Sequence, residues 1–91
     1  MELVSIGKVI NVRGLKGELK IESLSDFSAL RYKKGNKIIL EDESNNQTFE
    51  FKVKNYFNDG RFDFVQFEEI NDVDKAREYI GHYLKVYVDT S

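Results

Sequence analysis

Two glycines three residues apart, Gly14 and Gly17, interrupt a strand-like run from Ile6 to Ile21 that reads IGKVINVRGLKGELKI. Glycine takes positive φ without the steric cost a Cβ imposes, so a glycine pair between two β-type segments reads as a tight hairpin. The second arm alternates, with Leu19 and Ile21 facing one way and Glu18, Lys20 and Glu22 the other. That is the period of a half-buried strand. The turn itself, Arg13-Gly14-Leu15-Lys16-Gly17, also carries two cations.

The rest of the chain repeats the theme of short strands and turns. Residues 3–12 form the first arm, with a phase slip near Gly7-Lys8 that predicts a bulge, and residues 18–23 form the second. Asp26 to Tyr32 is too short for a stable helix alone and predicts a single helical turn. Lys33-Lys34-Gly35-Asn36 is a turn, followed by a strand from Lys37 to Glu41 built on Ile38 and Leu40. After a polar loop, Asp42 to Asn46, the segment Thr48 to Lys54 alternates strictly. Asn58-Asp59-Gly60 is a turn signal, with Asp-Gly the strong hairpin dipeptide. Phe62 to Phe67 is apolar on both faces, which predicts a strand covered on both sides. One helix is expected from about Asp72 to Ile80, capped by Asn71 or Asp72, ended by Gly81, and burying Val73, Ala76 and Ile80. Tyr83 to Val88 is the last strand. About six short strands in so few residues favour an all-β fold, a small closed antiparallel barrel that removes exposed edges, with one short helix before the last strand.

Ninety-one residues make one small domain, which buries only about 60–65% of its unfolded surface. The chain has no cysteine, so disulfides, thiol catalysis and thiolate metal sites are excluded. No apolar run is long enough for a signal core or a span, and a soluble, cytoplasmic protein is expected. Net charge is −2, which argues against a strongly basic nucleic-acid binder. Its distribution is uneven: residues 1–40 hold eight cations against four anions, and residues 41–91 hold six against twelve. Either one face suits phosphate, or the charges interleave once the barrel closes.

Gly14-Leu15-Lys16-Gly17 matches the GXXG loop with which KH domains clamp a nucleic-acid backbone. That loop joins helices, whereas both flanks here are strands, so the KH reading fails. A hairpin turn explains both glycines and leaves Arg13 and Lys16, with the backbone at Gly14 and Gly17, as candidate phosphate contacts. Arg31, Lys33, Lys34 and Lys37 crowd a second turn around Tyr32. Cations interleaved with an aromatic suit an RNA surface, although a solvated loop is the commoner explanation. The sole histidine, His82, follows Gly81 at the expected helix exit and reads as a helix-end residue. Glu68-Glu69 and Asp72-Asp74 lack the spacing of a calcium loop and read as a solvated acidic rim. There is no phosphate-cradling loop or dinucleotide fingerprint, and neither a catalytic residue nor a cofactor or metal is expected. Alternating aromatics read as core; Tyr56-Phe57 and Tyr79, Tyr83 and Tyr87 are the candidates for an apolar patch.

Three blocks in order, IGKVINVRGLKGELKI, SDFSALRYKKGNKIIL and FEEINDVDKAREYIGHYLKV, resemble the N-terminal domain of the RimM family of bacterial ribosome maturation factors. GLKGE at Gly14 to Glu18 and NDVDKAREYIG at Asn71 to Gly81 carry most of the likeness, which runs from about Val4 to Val88. The resemblance implies a six-stranded barrel of the kind shared by translation factors and some reductases. It also implies non-catalytic binding to assembling small ribosomal subunits, assisting rRNA processing and maturation of the small-subunit head. The expected contacts are Arg13, Gly14, Lys16, Gly17, Arg31, Lys33 and Lys34. Family members carry a second, PRC-type barrel after this domain, implicated in binding a head ribosomal protein. Residues 1–88 would then be the N-terminal barrel and 89–91 the start of the linker, the whole being one piece of a longer protein. The alternative is a structural domain that mainly docks that second barrel, leaving ribosome contacts to its partner. Members often have His where this chain has Arg13, which keeps a possible cation and weakens any role that needs a titrating imidazole.

Overall fold

The computed structural model describes residues 2–24 and 28–88. Asp26 and Phe27 of the expected helical turn, and the expected linker at 89–91, lie outside the described residues. Six strands, β1 (Glu2–Arg13), β2 (Glu18–Ser23), β3 (Lys37–Asp42), β4 (Gln47–Asn58), β5 (Asp63–Phe67) and β6 (Tyr83–Val88), close into a barrel in the order β1-β2-β5-β4-β3-β6. Every pairing is antiparallel, and closure gives each strand a neighbour on both sides.

Two 12-residue strands, β1 and β4, make that closure possible. The first half of β1 pairs with β6, from Glu2 opposite Val88 to Lys8 opposite Tyr83. Its second half pairs with β2, ending with Arg13 opposite Glu18. The register slips between Ser5 and Gly7 on one side and between Val9 and Asn11 on the other. An extra residue bends a strand, and these slips bracket Gly7-Lys8, where the sequence loses phase. β4 turns the same corner: Lys52 pairs with Lys37 of β3, Val53 with Phe67 of β5, and a slip follows between Val53 and Asn55. The alternating segment expected at Thr48 to Lys54 thus continues to Asn58 as the second half of a bent strand.

The core follows the alternation, with Leu19, Ile21, Leu40, Val65, Phe67 and Leu84 fully buried. All five residues of β5 are buried, as a strand apolar on both faces requires. Asp59 to Phe62 link β4 to β5, and the Asp59 carboxylate accepts from the backbone N–H groups of Arg61 and Phe62 at 2.9 and 2.7 Å.

Two short helices, α1 (Ser28–Arg31) and α2 (Val73–Arg77), complete the fold. Asp72 caps α2, its side chain accepting from the Lys75 N–H at 2.8 Å. The helix is shorter than the sequence predicts, and its buried stripe differs. Ile80 is 43% exposed, while Tyr79 is 4% exposed. After Arg77 the chain tightens into i→i−3 bonds: Glu78 donates to Lys75, Tyr79 to Ala76 and Ile80 to Arg77. Three residues per turn instead of 3.6 aligns Ala76, Tyr79 and His82 on the inner side. Tyr79 then meets the rings of Phe49 and Phe51 edge-on at 5.5 and 5.3 Å. The exit is pinned to β1, because Gly81 donates to the Val9 carbonyl at 2.8 Å and Val9 donates to His82 at 2.9 Å. No helix is long and apolar enough to cross a membrane among the described residues.

Candidate nucleic-acid interface

The tip of the β1–β2 hairpin is built by its glycines. Gly14 and Gly17 have φ of 73° and 80°, the left-handed region that disfavours a Cβ. Gly17 has a second constraint: a Cβ there would lie 2.4 Å from the carbonyl oxygen of Asp72. The hairpin therefore packs backbone to backbone against the cap of α2, which fixes where the tip points. Leu15 is 85% exposed at that tip, with Lys16 exposed beside it.

Arg13 is held more firmly than a solvated turn residue would be. Its guanidinium carbon lies 3.8 Å from the Phe64 ring centre and 5.4 Å from that of Phe57. Nε and Nη2 each donate to Glu18 Oε1 at 3.3 Å. The cation covers the outward ring of β5 and accounts for the burial of Phe64 on the outside of the barrel. Its side chain remains 45% exposed, so the guanidinium is oriented by Phe64 and still open to solvent.

Lys33 and Lys34 sit on a different segment, the loop between α1 and β3, and Arg31 is the last residue of α1. Gly35 donates to the Val53 carbonyl and Val53 to that of Asn36, both at 2.9 Å. The Asn36 side-chain amide donates to the carbonyls of Leu30 and Arg31 at 3.2 and 3.3 Å. Tyr32, which the sequence sets among these cations, is fully buried and packs on Tyr56. It contributes no ring to that surface, because the turn places the bulkiest apolar side chain under the barrel end. Charge interleaves in part: Lys37 pairs with Glu50 at 3.7 Å, and Lys85 pairs with Glu41.

A further set of cations escaped sequence reasoning. Lys20, Phe64 and Phe57 lie directly opposite one another across β2, β5 and β4. Beside that row, Phe62 lies between Lys20, at 4.2 Å, and Arg61, at 5.2 Å. The available signal was the outward parity of Lys20 and Phe64, legible only once the register of β2 against β5 is known. Backbone donation from Phe62 and Arg61, helped by Lys20, holds the Asp59 carboxyl below its usual range.

Inside the barrel, Asp63 is a buried carboxylate. Ser23 and Tyr56 donate their hydroxyls to it and Asn58 its side-chain amide, the latter two at 2.6 and 2.8 Å. Burial, the bond to Asp63 and its charge push the Tyr56 phenol up to about 12, and burial pushes Tyr32 above its ordinary value too. His82 packs against Tyr79 and Phe49. Among the described residues no group of three or more His, Asp or Glu side chains is arranged to hold a metal ion.

Residues 4–91 match the sequence model of the RimM N-terminal domain. The chain is 34% identical over 86 residues to the ribosome maturation factor RimM of Streptococcus uberis, covering 94% of this chain and 50% of that protein. It is 34% identical over 85 residues to that of Bacillus cereus, covering 93% and 50%. Among solved structures, a 16S ribosomal RNA processing protein RimM from Pseudomonas aeruginosa superposes with a TM-score of 0.82 at 21% identity, covering 99% of this chain and 53% of that one. That likeness is one of fold. The chain spans about half the length of the relatives it matches.

Proposed function

Since the chain belongs to the RimM family, we propose that it is the barrel through which a ribosome maturation factor engages the assembling small ribosomal subunit in the cytoplasm. It acts by binding and not by chemistry, assisting rRNA processing and maturation of the subunit head. The observation that carries this reading is the match of residues 4–91 to the family's N-terminal domain. The hairpin supports it: the α2 cap fixes the tip, Lys16 is exposed there, and Arg13 is oriented beside it. Phosphate contacts of this kind position a protein on RNA without reading sequence, and their affinity falls with salt. Arg31, at the end of α1, and Lys33 and Lys34, on the loop that follows, form a second candidate contact.

The test is charge reversal, Lys16→Glu and Arg13→Glu, with affinity for immature small subunits as the readout. Weaker binding at low salt is expected, and unchanged affinity removes the hairpin from the interface. A second reading, docking of the second barrel that the family resemblance implies, is supported by Leu30 and Tyr87, 70% and 56% exposed, which line one groove with Val86. A complex formed with that barrel in trans, with none to the subunit, would favour it.

A further inference from the structure

We propose that the outer face of β2, β5 and β4 is a platform for unpaired RNA, on which Phe57 stacks a base while Lys20 and Arg61 meet the adjoining phosphates. The inference deepens the ribosome-maturation reading and rests on it only for the source of the RNA.

Phe57 is 50% exposed, at the end of the row Lys20–Phe64–Phe57 that the register sets across three strands. An outward Phe on a barrel strand is ordinarily covered, as Phe64 is by Arg13. Phe57 shares that cation at 5.4 Å and packs its ring at 6.2 Å from Phe64, which fixes the ring while leaving half of it in water. Lys20 and Arg61 approach Phe62 to 4.2 and 5.2 Å, so rings and cations alternate along the face. Of the anions beside it, Glu18 is engaged by Arg13 and Asp59 by the backbone N–H groups of Arg61 and Phe62, while Glu22, the next outward residue of β2 after Lys20, is exposed and marks the limit of the cationic face. A chain that alternates planar bases with phosphates complements such a surface. An acidic peptide would supply the charge without the planar faces, and a duplex would hide its bases in the stack.

The probe is a fluorescein-labelled single-stranded oligouridylate of about twelve nucleotides, a length within the range such surfaces cover, compared by anisotropy with a duplex of equal length. The chain is expected to prefer the single strand. Phe57→Ala weakens that binding about fivefold or more, and Phe57→Leu, which keeps bulk but loses the flat ring, weakens it as well. The double variant Lys20→Gln/Arg61→Gln flattens the salt dependence by about 1.4 units of slope, near 0.7 for each of the two lost phosphate contacts. Thermal melting of each variant separates lost binding from lost folding. Phe57→Leu binding as tightly as the unaltered chain, or a duplex bound as tightly as the single strand, overturns the platform. A chain that binds immature small subunits but not the oligonucleotide also overturns it, assigns the face to protein, and leaves the maturation reading standing. Oligonucleotide binding without subunit binding supports the platform and defeats the maturation reading.

Discussion

Arg13 and Phe64 lie 3.8 Å apart, guanidinium carbon to ring centre, and that contact joins the structure of the barrel to its candidate interface. Phe64 faces outward from β5 and is only 4% exposed; Glu18 holds the same guanidinium from its other edge. A cation that closes the outside of the barrel cannot be altered without disturbing the surface beneath it. Lys16 is exposed at the tip, and reversing its charge is the cleaner probe of binding.

Arg13→Ala is expected to cost about 1–2 kcal/mol of stability, because it strips the ring of both the cation and the alkyl stem that cover it. Arg13→Lys should recover only part of the loss, since a planar guanidinium stacks where an ammonium does not. Urea denaturation checks both, and equal midpoints for all three chains would contradict the stacking.

Gly17→Ala should destabilise more than Gly14→Ala, although both glycines have positive φ. A Cβ at Gly14 meets nothing within 4 Å, leaving a backbone cost of about 1–2 kcal/mol. At Gly17 it meets the Asp72 carbonyl at 2.4 Å, and the cost rises to at least about 3 kcal/mol once the hairpin has to leave α2. Comparing the two melting temperatures decides the matter.

Asp63 ties β5 to its neighbours through Ser23 of β2 and Tyr56 and Asn58 of β4. Asp63→Ala strands those donors in the barrel and should cost about 3 kcal/mol or more. Asp63→Asn keeps an acceptor oxygen and should cost less. Equal losses in denaturant would mean that the acceptor oxygen retained by Asn contributes nothing.

Alkaline pH should destabilise the chain through two phenols, the buried Tyr32 and the half-buried Tyr56. Tyr56 is held at about 12 in the folded protein, against about 10 for an unperturbed tyrosine. A raised pKa means the unfolded chain gives up its proton first, so this stability is fully present below pH about 10 and is lost as pH rises through the folded value. Chemical denaturation across that window should show the decline, and Tyr56→Phe should flatten it. A parallel decline in the variant would assign the effect elsewhere.

Much of the barrel was legible because its strands bury one face and solvate the other. Leu19 and Ile21 located β2, and the phase slip near Gly7 marked where β1 bends. The end of α2 was not legible: a 3.6-residue period points to Ile80, whereas the docking of Gly81 onto Val9 tightens the last turn and turns Tyr79 inward. The candidate site was half legible. The hairpin's glycines and cations announce themselves locally, but the partners of Arg13 come from β4 and β5, and no local pattern encodes that pairing. Tyr32 misled for the opposite reason, since its cationic neighbours in sequence are not its neighbours in space. Asp63 was hidden by its strand: its inward parity follows from Val65 and Phe67, yet Ser23, Tyr56 and Asn58, which donate to it, come from other strands.

The barrel is proposed to engage the small ribosomal subunit while that subunit is being assembled. The direct measurement is the affinity of the chain for immature small subunits, set beside mature small subunits and large subunits at the same ionic strength. Tighter binding to the immature particle, weakened by Lys16→Glu and by added salt, is the predicted result. Equal affinity for all three particles, or none for any, would contradict it.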